Sequence, residues 1–158
     1  MSKCLMVVAM LCGTSSVFAG TEIYDDSVSG CLGINCSSLR IPGTVFNFVN
    51  VNARPWVVQL FKGGNECVRI DVDIQFSNLE IVAVSPNGTV YRNDDRVAAV
   101  DFRPLVNVPP FAANGWYTVQ VSAFNGAPVE SNFVLLYGRY VAGNPNCVVA
   151  TPPVLTAE

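Results

Sequence analysis

Val68-Arg69-Ile70-Asp71-Val72-Asp73-Ile74 alternates apolar and charged side chains without interruption. Successive side chains of a β-strand point to opposite faces, so Val68, Ile70, Val72 and Ile74 share one face and Arg69, Asp71 and Asp73 the other. The first face reads as core and the second as a solvated polar row.

The same grammar extends in both directions. Downstream, residues 79–84 form an apolar run closed by Ser85-Pro86-Asn87-Gly88, where Pro presets φ and Asn-Gly accepts positive φ. Residues 89–92 return as the hairpin partner. Residues 97–102 and 105–108 are shorter strand candidates. Asn114-Gly115 turns the chain into 116–123, with Tyr117, Val119 and Val121 inward and Trp116, Thr118 and Gln120 outward. Residues 125–128 lead to a last strand over 131–141, whose Phe133, Leu135 and Tyr137 share a face. Upstream, 45–51 and 56–61 are candidates, and Trp56 shares the core face with Val58 and Leu60. No stretch carries a helical period. About eight short strands at this spacing predict an all-β fold, an antiparallel β-sandwich or jelly-roll-like domain over 44–142.

The ends differ in character. Residues 1–19 carry Lys3, an apolar run and Val17-Phe18-Ala19, which reads as a secretory signal peptide cut before Gly20. The run falls short of the roughly 20 residues that span a bilayer, so no membrane span is expected. Residues 20–43 read as an irregular leader rich in Ser, Gly, Asp and Asn, and 143–158 as an extended, proline-rich tail. Removing the signal leaves Cys31, Cys36, Cys67 and Cys147, an even set in an exported chain, hence two disulfides that support the fold. Three pairings exist. Cys67 opens a strand and Cys147 follows the last one, which favours Cys67–Cys147 with Cys31–Cys36. Paired C-x-x-C spacing is missing, which argues against zinc.

Composition narrows function. The nine basic residues fall to eight with the loss of Lys3, against 12 acidic ones. That balance, with scattered arginines, argues against nucleic acid as a partner. The chain has no histidine, so a Ser-His-Asp or Cys-His centre is impossible and no enzyme is expected. The carboxylate pairs Asp71/Asp73 and Asp94/Asp95 are what a glycosidase would have to use, but both read as solvated polar positions. Asp94 and Asp95, with Asn93 and Asp101, form a weak calcium candidate that lacks the D-x-D-x-D-G pattern. No other cofactor is expected. Trp116, turned outward if Tyr117 is inward, is the candidate to stack on a sugar or anchor a protein contact, with Asp94 and Asp95 as further ligand-binding candidates.

Three segments carry a family resemblance: Phe76-Ser-Asn-Leu-Glu-Ile-Val-Ala-Val-Ser-Pro-Asn-Gly88, then Arg92-Asn-Asp-Asp95, then Gly115-Trp-Tyr-Thr-Val-Gln-Val121 with Phe133-Val-Leu-Leu-Tyr137 as closing strand. Together they resemble the bacterial pre-peptidase C-terminal domain (PPC-like), a β-sandwich commonly appended to secreted proteases. Asn78 departs from that pattern, standing where an aspartate is usual. The resemblance implies a sandwich fold and an accessory role, here as a domain standing alone.

The expectation is a secreted, periplasmic or extracellular binding or accessory module that engages a glycan, the cell envelope or a secreted protein. The alternative is a self-assembling structural subunit or adhesin that uses a sheet edge or the C-terminal tail.

Overall fold

The computed structural model describes residues 21–33, 40–41, 44–45, 55–126 and 129–154. The expected signal peptide, Cys36 and most of the strand expected over 45–51 lie outside them. Eleven strands follow in chain order: β1 (Glu22–Leu32), β2 (Arg40–Ile41), β3 (Thr44–Val45), β4 (Trp56–Lys62), β5 (Glu66–Gln75), β6 (Leu79–Val84), β7 (Val90–Asn93), β8 (Leu105–Val108), β9 (Gly115–Ala123), β10 (Ser131–Val141) and β11 (Pro153–Val154). Nine of them form two antiparallel sheets, β1-β10-β5-β8 and β11-β7-β6-β9-β4, and β2 pairs with β3. The all-β sandwich expected from the alternation is the observed architecture.

The inward rows meet between the sheets. Ile70, Val72, Val106 and Leu135 from one sheet pack on Ile81, Val119, Val121 and Tyr117 from the other, all buried. Trp56 joins this core from the side, its ring edge-on to Phe133 at 5.4 Å between centroids. The hairpin between β6 and β7 closes as its residues dictate. Gly88 takes φ 86°, and its N–H donates to the Ser85 carbonyl at 3.0 Å. Cys67, at the start of β5, is bonded to Cys147, 80 residues later. Closing a loop of that length stabilises by about 4.5 kcal/mol through the unfolded state. Cys31 is disulfide-bonded as well.

Four expectations are corrected. The stretch read as an irregular leader carries β1, an eleven-residue edge strand paired along β10. Only its last residues are buried, Gly30 and Leu32 among them, so no alternation marked it. Gly30 lies so close to the Phe133 ring that a Cβ there would collide with it. Residues 97–102 form no strand: Val97 and Asp101 make an isolated bridge across a tight loop, with Ala99 at φ 60°.

The tail, in turn, folds back on the sandwich. Thr151 donates its N–H to the Asn107 carbonyl (2.9 Å) and accepts the Asn107 N–H on its hydroxyl (2.9 Å), while β11 pairs with β7. Finally, the alternation in β5 breaks at a bulge. The β10 partner moves from Ile74 to Val72 in one step, leaving Asp73 extra, and Ile74 emerges 49% exposed. Asp71, expected in a solvated row, is only 4% exposed.

Candidate functional site

Edge strands β1 and β4 lie against each other at one side of the sandwich, and a groove of about 360 Å³ runs along their seam. Register builds it. On the four-stranded sheet, Tyr24 stands opposite Arg139 and Asp26 opposite Tyr137. On the five-stranded sheet, Phe61 stands opposite Trp116. Trp56, Val58 and Leu60 turn inward, so alternation sends Phe61 outward on β4, as it sends Trp116 outward beside the buried Tyr117. Trp116 is 61% exposed and Phe61 37%, with their rings 5.3 Å apart and edge-on. The volume lies in the range of small-molecule sites.

The two walls are tied together. The Tyr137 hydroxyl donates to the Phe61 carbonyl, crossing from one sheet to the other. The Tyr137 ring also lies 5.7 Å from that of Tyr24. Burial, the dominant cause, pushes the Tyr137 hydroxyl up to about 12. Arg139 sits over the Phe61 ring at 5.2 Å, a cation–π contact, and donates two 2.8 Å bonds to the Glu66 carboxylate. Arg139 holds Glu66 below the usual carboxylate range, with the Gly63 N–H contributing. Asp26 accepts from the Tyr24 hydroxyl at 2.9 Å and the Ser27 N–H at 2.7 Å, and these bonds hold it below its ordinary value.

Lys62, the last residue of β4, is fully buried and positions the groove's far end. Its ammonium donates to the carbonyls of Gly63, Pro110 and Ala112 and to Asn114 Oδ1, at 3.0–3.3 Å. That staple fixes the loop leading into Gly115 and Trp116. Burial pulls the lysine below its usual range, partly offset by Glu66.

The other candidates lie elsewhere. Thr118 aligns with Val84 and Val121 with Ile81, which faces Asn93. Asp94 and Asp95 therefore leave the sheet at the end opposite Trp116. Asn93 Oδ1 takes the Asp95 N–H at 2.8 Å, an Asx turn, and Asp95 Oδ2 takes the Ala99 N–H at 3.4 Å. Asp101 is claimed by Arg103 through two 2.8 Å bonds, which bring its carboxyl down to about 2. Among the described residues no three His, Cys, Asp or Glu side chains gather to hold a metal ion. Asp71 is held by Arg69 at 2.7 Å and by Arg96. Asp73 is exposed and, among the described residues, its carboxylate reaches only Arg103, at 3.5 Å. The structure thus engages Asp71, the better-placed member of its carboxylate pair, in a buried ion cluster.

Trp116 is the sequence candidate that the groove keeps. Phe61 was missed although its strand's alternation pointed it outward, and Tyr24 and Asp26 were missed with β1. Compared with known proteins, the chain matches no family model, no curated protein and no solved structure, and its groove stands on its own geometry.

Proposed function

We propose that the chain is an exported, non-catalytic β-sandwich module that holds a glycan of a cell envelope or matrix in the groove between β1 and β4. One observation carries the reading: Trp116 and Phe61 present adjoining, solvent-facing rings at the groove, anchored to a rigid sheet. Pyranose rings stack on such faces, and exposed aromatic anchors are where binding energy concentrates. The leader peptide read over 1–19 and the oxidised Cys67–Cys147 pair support export. Among the described residues no helix is long and apolar enough to cross a membrane. The likeness to pre-peptidase C-terminal domains agrees with an accessory role.

A glycan array probed with the mature protein and with Trp116→Ala tests it. Specific signals that fall at least about tenfold in the variant support the reading. An empty array, or signals that Trp116→Ala leaves intact, sinks it.

A second reading, assembly through a sheet edge, has one observation in its favour: among the described residues β4 ends its sheet with no further strand paired to it. Light scattering across a concentration series separates it from the first, because a monomer throughout excludes edge assembly.

A further inference from the structure

The groove carries a charge that its own cation does not balance. Among the described residues only Asp26 and Arg139 of its lining are ionised. The Arg139 charge is matched by Glu66 through two hydrogen bonds, and its guanidinium face is spent on Phe61. Among the described residues Asp26 receives hydrogen bonds from neutral donors alone, the Tyr24 hydroxyl and a main-chain N–H. Asp71, Asp101, Glu66 and Glu80, by contrast, are each paired with an arginine. Asp25, the next residue on β1, turns to the opposite face of the sheet with Arg69 and Gly138, so Asp26 is the carboxylate that the groove itself presents. The site is therefore aromatic on one side and anionic on the other. Both halves attract a cation, the exposed Trp116 ring through its quadrupole and the carboxylate through its charge.

Taking the groove as the glycan site proposed above, we infer that its occupant is an oligosaccharide of amino sugars with free amines, a ring face on the exposed Trp116 and an ammonium at Asp26. A neutral sugar satisfies the rings and leaves Asp26 without a counter-charge. An N-acetylated sugar does the same, since its amide carries no charge. A basic peptide brings the cation without a pyranose face to lie on the indole.

Calorimetric titration with four probes distinguishes these: a tetramer of glucosamine, the N-acetylglucosamine tetramer, cellotetraose and tetralysine. The titrations run at mildly acidic pH, where the amines are protonated and Asp26, held below the usual carboxylate range, is ionised. The glucosamine tetramer is expected to bind about tenfold or more tighter than the other three, and Asp26→Asn to reduce it to the level of cellotetraose. Asp26 is exposed, so the variant should keep the parent melting temperature, which is checked alongside. Equal binding of all three sugars overturns the selection for amines and leaves the glycan reading standing. Binding of the glucosamine tetramer that survives Asp26→Asn overturns the inference as well. Tetralysine binding as tightly as the glucosamine tetramer shows that the rings contribute nothing and overturns it too. No binding by any of the sugars defeats the inference, and the glycan array described above decides separately on the reading beneath it.

Discussion

The hydroxyl of Tyr137, in the middle of the four-stranded sheet's neighbour to β1, donates to the main-chain carbonyl of Phe61 on the edge of the opposing sheet. This bond spans the sandwich where the two sheets part to form the groove. It couples a core side chain to the strand that carries half of the aromatic wall.

Tyr137→Phe removes the donor and leaves the Phe61 carbonyl short of a partner. The expected cost is about 1–2 kcal/mol in urea unfolding, the range for one hydrogen bond whose partner stays buried. A loss near zero would mean that water serves the carbonyl equally well and that the sheets are not pinned here.

Asp71 tests whether the polar row of β5 is solvated or structural. Its carboxylate is buried between Arg69 and Arg96, so Asp71→Ala takes the close counter-charge from both and leaves them the longer contacts to Asn146, at 3.4 Å, and Asp101, at 3.5 Å. Unfolding should become easier by about 2–3 kcal/mol. A solvated aspartate would register within about 0.5 kcal/mol.

Acid should weaken the fold in a defined window. The folded Asp101 titrates at about 2 against 3.8 for the free group, and Glu66 is lowered from 4.5. Between folded and unfolded values the unfolded chain binds more protons, so this stabilisation is complete above 4.5 and drains away as the pH falls toward 2. Melting temperature measured against pH should fall across that range, and less steeply in Asp101→Asn. A flat profile would contradict the Arg103 and Arg139 pairings.

The tail gives a prediction of opposite sign to the assembly-arm expectation. Residues 148–154 hydrogen-bond to Asn107 and pair with β7 within their own chain. Truncation after Cys147 should therefore lower stability by about 1–3 kcal/mol and raise the light-scattering mass by uncovering strand edges. A tail that mediates assembly would lower the mass when removed.

What the sequence disclosed follows where burial has a face. Strands β6, β9 and β10 were legible because one row meets the core and the other meets water, as Tyr117-Thr118-Val119-Gln120-Val121 shows. Strand β1 was hidden because an edge strand over an open groove has almost no buried face. Its Asp25-Asp26-Ser27 reads as loop chemistry while its backbone ladder to β10 holds it extended. The bulge at Asp73 was invisible for a related reason, since the apolar alternation continues through Ile74 while the geometry does not. Of the site, Trp116 was legible from parity alone. Its partners were not, because Tyr24, Asp26 and Arg139 meet Phe61 only through the pairing of distant strands.

Of the chain's two tryptophans, Trp116 faces the groove and Trp56 packs beside Phe133, which makes the indole N–H signals of a labelled sample the most direct reporter. Titrating the tightest-binding oligosaccharide into the mature protein should shift the Trp116 indole peak and leave that of Trp56 in place. Movement of neither peak at saturating sugar, or movement of Trp56 alone, would contradict a glycan site at the seam of β1 and β4.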